Sequence, residues 1–316
     1  MLNYIVLTSK IYIIFAVQNF ISLTLTSIIY IMRIAILMLA HKNIEQLDRL
    51  LNRLTQDFDV YLHLDQKWQI NEKHFDKYTN VFLTKRYTIN WGSYQQVQAD
   101  AELFTQAFKK NYDYYLLISG QDIPIKSNKQ IITFLEENKN VSFVDHEAFP
   151  KKAWANAFDG GYTRVIYYYG FDFKKNFTGL VLKKALALVR HIQKLTGIKR
   201  KLQPLKYYGG WNWVNLNRSA MTHIVTYLEK HPEFLESFKY TLCGDEVWIQ
   251  TVLMNSDNKV INKELRYTEW IPGAENPKTI TMQSFDNIKT SEALFARKFE
   301  PDVDAAIIDK VYELTA

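Results

Sequence analysis

From Arg33 onward, short apolar runs alternate with longer stretches of helical period, the pattern of a layered α/β fold. Ile34 to Leu39 reads as a strand and Ile44 to Leu54 as the helix that follows it. Val60 to Leu64 and Val81 to Leu83 read as further strands, and Tyr94 to Phe108 as a helix capped by Ser93. Tyr114 to Ile118 is apolar throughout, which predicts a strand through the centre of the sheet. It runs into Ser119-Gly120-Gln121-Asp122, at the carboxyl end where ligands of open α/β sheets gather. A helix ending near Glu137 and a strand from Val141 to Val144 come next, while the aromatic segment from Phe149 to Phe177 has no period that decides its state. Gly209 and Gly210 introduce a strand through Leu216, Ser219 to Lys230 reads as a helix, and Gly244 opens another to about Asn255. Val260 to Tyr267 reads as a strand and Asp302 to Leu314 as the closing helix. No internal repeat or low-complexity linker interrupts this run, so residues 33–316 are expected to form one domain.

Residues 1–32 follow a different pattern. Ile11 to Met32 carries no charge, and as a helix it would be about 33 Å long, enough to cross a bilayer. Gln18, Asn19 and several Ser and Thr dilute its hydrophobicity, and Met32 stands directly before the first strand as a second translation start. The segment therefore reads equally as a single-pass membrane anchor or as an upstream extension, with the domain in the cytoplasm or on the cytoplasmic face of a membrane.

Composition narrows the function classes. With 47% hydrophobic and 23% charged residues in 316, the chain can bury a full core. A net charge of +6, scattered apart from the run Lys199-Arg200-Lys201, suits a pocket for a small anionic ligand better than a nucleic-acid groove. Cys243 is the single cysteine, so no intrachain disulfide can form and a reducing compartment is permitted.

Chemistry concentrates near Cys243-Gly244-Asp245-Glu246. On a helix, Trp248, Ile249, Val252 and Leu253 form one apolar stripe, with Asp245 on its axis and Glu246 at its edge. Asp245 should then point inward while Glu246 looks into a cleft, the setting of a positioned general base. Both acids would also suit a helix N-terminus with no further role, which is the commoner explanation. Downstream, Lys278 and the pair Arg297-Lys298 bracket a polar connection, and cations converging on a diphosphate could neutralise a departing nucleotide in place of a metal. Trp211 and Trp213, two apart on a predicted strand, would share a face that either stacks on sugars or packs in the core. Asp122 is a lone carboxylate where a metal-dependent sugar-nucleotide enzyme would place Asp-x-Asp. The literal matches Asp57-Phe58-Asp59 and Asp302-Val303-Asp304 are badly placed for that role, and no His/Cys cluster, Gly-x-Ser-x-Gly or phosphate-binding glycine loop occurs.

An ordered set of motifs carries a resemblance. Ile36-Leu37-Met38-Leu39-Ala40-His41-Lys42, His63-Leu64-Asp65, Trp91-Gly92-Ser93 with Val97-Gln98-Ala99-Asp100, and Leu117 to Lys126 are followed by Gly209-Gly210-Trp211-Asn212-Trp213, Gly244-Asp245-Glu246 and Leu294-Phe295-Ala296-Arg297-Lys298-Phe299. From about Arg33 to Asp304 the chain resembles the core-2/I-branching β-1,6-N-acetylglucosaminyltransferases and protein xylosyltransferases, glycosyltransferase family 14. The resemblance implies a GT-A-like fold, with a Rossmann-like mixed central sheet flanked by helices, and inverting transfer from a UDP-sugar to a carbohydrate hydroxyl of a glycan or glycolipid. It implies neither cofactor nor divalent metal. N-acetylglucosamine is the first donor expected and xylose the second. The family's catalytic base falls on Glu246. Its diphosphate-holding cations fall on Lys298 and on Lys278, which stands where the relative has arginine, with Arg297 beside them. His63, Asp65 and Asp122 match the nucleotide side, and Arg164 and Trp213 the acceptor side. Shortness and the single cysteine resemble bacterial members, whose products would be surface polysaccharides; Phe149 to Leu205 matches poorly. Two rival readings are a glycoside hydrolase using Asp122 and Glu246 and a non-catalytic carbohydrate-binding protein.

Overall fold

The computed structural model of the chain describes residues 31–154, 159–169, 177–271, 274 and 276–316. Residues 33–316 form one compact unit, set apart from residues 1–32. The expected anchor or extension lies outside the described residues apart from Ile31 and Met32, and no helix among the described residues is long and apolar enough to cross a membrane.

Unit 33–316 opens with β1 (Ile34–Ala40), α1 (Ile44–Leu54), β2 (Asp59–Leu64), β3 (Val81–Leu83), α2 (Tyr94–Phe108) and β4 (Tyr114–Ser119). There follow β5 (Ile123–Pro124), α3 (Asn128–Glu137), β6 (Ser142–Phe143), β7 (Glu147–Ala148), α4 (Tyr162–Ile166) and α5 (Phe177–Thr196). The last part comprises β8 (Tyr208–Gly209), β9 (Asn215–Asn217), α6 (Arg218–Lys230), α7 (Pro232–Glu236), α8 (Trp248–Met254), β10 (Val260–Ile261), β11 (Arg266–Thr268), α9 (Phe285–Thr290), β12 (Phe295–Arg297) and α10 (Ala305–Leu314).

The central sheet has the order β10-β6-β9-β4-β1-β2-β3. β4, β1, β2 and β3 are parallel, and β9 runs antiparallel to both β4 and β6. This is the mixed, Rossmann-like sheet of a GT-A-like fold. β1 and β4 are buried at every position, as strands covered on both faces must be. The chain leaves β1 toward β2 on one side and returns to β4 on the other, so a crevice opens at the carboxyl ends of β1 and β4. A second sheet, β11-β12-β5, stands over its own small core of Ile123, Ile280, Ile288, Phe299, Ile307 and Val311. It carries Arg297 and the adjacent Lys298 toward the same crevice.

Several boundaries differ from the sequence reading. Gly209 to Leu216 is not one strand: β8 pairs with β7 in a two-stranded sheet, and β9 joins the central sheet after an irregular link. Val260 to Tyr267 likewise splits between two sheets. The helix expected from Gly244 begins as a single 3-10 turn, Gly244–Glu246, and Val247 at φ −130° separates it from α8. Ser93 occupies the N-cap position of α2 without capping it; its hydroxyl accepts from Asn90 N–H at 3.3 Å instead.

Candidate active site

A cavity of about 590 Å³ fills the crevice. Its floor is the carboxyl ends of three parallel strands, represented by Ala40, His63 and Ser119, and its lid side includes Lys298 and Glu300. Gly120 makes the floor close-packed, since a Cβ there would lie 3.3 Å from that of Ala40. Sequence reasoning singled out His63, Asp65, Trp213, Arg297 and Lys298 among the lining residues. It passed over Lys42, Lys67, Gln96, Gln121 and Glu300, which are polar residues without a periodic signal of their own.

The cavity is rich in positive charge. Lys42 is tied to Glu300 at 2.7 Å and Lys67 lies 3.5 Å from Asp65. Lys298 has no carboxylate within ion-pair distance among the described residues, so its charge is available to an anionic ligand. Arg297 is held differently. Its guanidinium stacks 4.0 Å from the centroid of Trp213 and Nε lies 3.5 Å from Asp122, while Nε and Nη1 are buried without a hydrogen-bond partner among the described residues. Burial lowers its pKa from the ordinary arginine value, with Asp122 opposing that shift.

His63 is buried at the floor. Tyr87 N–H donates to its Nε2 at 2.9 Å, which places the ring proton on Nδ1, and Nδ1 has no partner among the described residues. Burial away from water pushes its pKa down to about 4, so the ring is neutral at physiological pH. Asp65 accepts from Lys67 N–H at 2.8 Å, closing the turn after β2.

Glu246 stands on the 3-10 turn and does not line this cavity. Its side chain keeps 24% of its surface exposed, and Oε2 accepts from Arg164 Nη1 at 2.6 Å. Arg164, expected on the acceptor side, instead stacks 3.8 Å over Trp154 and grips the candidate base. The backbone of the turn is pinned as well: Gly210 N–H donates to Glu246 O at 2.9 Å. A Cβ on Gly210 would fall 1.8 Å from the Asp145 carbonyl oxygen, so this close approach requires glycine. On the other flank Cys243, at φ 49°, donates its N–H to Gly92 O, and a Cβ on Gly92 would meet Cys243 Sγ at 3.0 Å. The Trp91-Gly92-Ser93 turn is thereby locked to the Glu246 turn.

Asp245 points inward, and burial together with the nearby Glu246 charge raises its pKa to about 7. Asp100 on α2 is fully buried and its pKa is raised, first by burial and then by Asp245. Gln96, in the cavity wall, donates to Asp100 Oδ1 at 3.0 Å. With its amide oriented to satisfy both neighbours, Asn212 donates to Asp100 Oδ2 at 3.1 Å and Asp245 O at 3.3 Å. A continuous polar path thus runs from the cavity wall to the Glu246 turn.

Three other expectations are resolved by placement. Asp122 is buried behind the floor, its oxygens accepting from Ser119 N–H at 2.8 Å and Ser119 Oγ at 3.1 Å, which removes it from direct ligand contact and from pairing with Glu246 as a second open carboxylate. Lys278 does not reach the cavity; it lies 3.4 Å from Glu269 beside β11. Trp211 and Trp213 do not share a face, because the link between β8 and β9 is irregular: Trp211 stacks on Trp270 at 4.7 Å and Trp213 on Arg297. Among the described residues no three His, Cys, Asp or Glu side chains cluster as metal ligands.

The chain is similar to a xylosyltransferase of Ciona intestinalis, 22% identical over 309 residues that cover 88% of this chain and 33% of that protein. It is similar to xylosyltransferase 1 of Homo sapiens, 23% identical over 308 residues, covering 88% and 30% respectively. A beta-glucuronosyltransferase, GlcAT14C of Arabidopsis thaliana, is 22% identical over 217 residues, covering 64% and 49%. The chain spans about a third of the length of the xylosyltransferases it matches. The family described as Core-2/I-Branching enzyme matches residues 34–292, and the chain therefore belongs to that family of glycosyltransferases.

Proposed function

We propose that this chain transfers a sugar from a UDP-sugar to a carbohydrate hydroxyl with inversion and without a divalent metal. The Glu246 carboxylate takes the proton from the acceptor hydroxyl as that oxygen attacks the anomeric carbon. The bond from that carbon to the diphosphate breaks, and UDP leaves with the electron pair toward Lys298. Arg297 adds positive charge from behind, and the neutral His63 offers its Nδ1–H to the nucleotide. The observation that supports this reading best is a partly exposed carboxylate held by Arg164, on a turn whose backbone Gly210 pins and which a polar path joins to a cation-rich cavity at the strand ends. N-acetylglucosamine is the first donor we propose; xylose is the second, favoured by the names of the similar xylosyltransferases.

Glu246→Gln tests the assignment. General-base action is typically worth about 10²–10⁴ in rate. The variant should lose at least ~10²-fold in kcat while binding UDP with little change, because the nucleotide cavity is intact. Near wild-type turnover in a folded variant removes Glu246 from the role. UDP release with UDP-N-acetylglucosamine and with UDP-xylose, each with an acceptor present, separates the two donors.

A further inference from the structure

The longest helix of the unit, α5, is built inside out. Val181, Leu188, Ile192 and Leu195 recur at i, i+7, i+11 and i+14, one stripe of a 3.6-residue helix, and the stripe faces away from the protein. Leu188 is 60% exposed and Leu195 75% exposed, and Ile198 extends the stripe past the helix end. The opposite side is the docked one. Gln193 is buried there, accepting from Tyr168 N–H at 2.9 Å and donating to Tyr168 O at 3.2 Å, and Arg190 lies 4.9 Å from the ring of Tyr169. Rotation of the helix to bury its apolar stripe would break this attachment.

The charge around the stripe points to what covers it. Phe177 to Lys201 contains seven lysines and arginines, and no Asp or Glu occurs anywhere between Asp172 and Glu229. Lys184 and Lys194 are exposed beside the stripe, and Lys199 and Lys201 beyond its end. A second copy of the chain laid on this face would bring cations against cations. An apolar stripe bordered by cations with no acid is instead complementary to a surface that is apolar beneath and anionic on top. We propose that α5 and the Lys199–Lys201 run dock the protein on the headgroup layer of an anionic phospholipid bilayer, with Leu188, Ile192 and Leu195 entering the acyl boundary. This docking is independent of residues 1–32 and of the catalytic assignment.

The test uses the full chain with Leu195→Cys carrying an environment-sensitive fluorophore. Cys243 is buried and labels poorly by comparison. On vesicles of phosphatidylglycerol and phosphatidylcholine the emission should shift to the blue, because the probe then leaves water. Pure phosphatidylcholine vesicles, or Lys199→Glu with Lys201→Glu, should weaken the apparent affinity about tenfold or more, since each cation near such a surface contributes separately. Unchanged emission on the anionic vesicles overturns the proposal, whatever residues 1–32 do. So does a blue shift that needs no vesicles and accompanies a doubled mass in light scattering, which would assign the stripe to a second copy.

Discussion

His63 illustrates how a site residue can cost stability. The folded ring stays neutral down to about pH 4, whereas the unfolded one takes a proton near its ordinary 6.5. Above that value the residue adds no pH dependence. As pH falls from 6.5 toward 4 the unfolded state binds the proton and the native state does not, so stability drops by a total of about 3 kcal/mol. Urea unfolding at pH 5 and pH 7 should show a steeper loss for wild type than for His63→Gln; equal slopes would mean that the ring is hydrated in the folded state. Legibility at this scale was uneven. The inward Asp245 and outward Glu246 followed from helical angles alone, even though their turn is 3-10. Asp122 was misplaced because a carboxylate at a strand end looks alike in sequence whether it meets ligand or folds back onto Ser119 N–H. Arg164 gave no local sign that it would reach across 82 positions to Glu246.

At the scale of elements, α1 and α2 were readable because each buries a face of helical period, and β1 because it is apolar and buried throughout. β8 to β9 and β10 to β11 were not, since local alternation cannot reveal that a chain changes sheets midway. The link between β8 and β9 has a use that a straight strand would lack. It brings Gly210 against the Asp145 carbonyl and Glu246 O at once. Gly210→Ala should therefore displace the Glu246 turn, lowering kcat by an order of magnitude or more, in line with the sensitivity of catalysis to small misplacement. It should also lower Tm. Full activity at wild-type Tm would show that the approach is slack.

Over the whole molecule, the parallel half-sheet and the small β11-β12-β5 sheet converge on one crevice, each bringing part of its charge. If Lys298 and Arg297 serve the departing diphosphate, turnover should persist within about twofold in excess EDTA, because electrostatic stabilisation comes from fixed side chains. Complete loss restored by manganese would refute the metal-free reading. The interlock of Cys243 with Gly92 has a practical consequence too. The single thiol of this chain is sealed where the two turns meet, so it can react with an alkylating reagent only when they part. Its modification rate is a built-in clock for the opening of the candidate catalytic corner, and if a nucleotide binds and braces the crevice it should slow that clock.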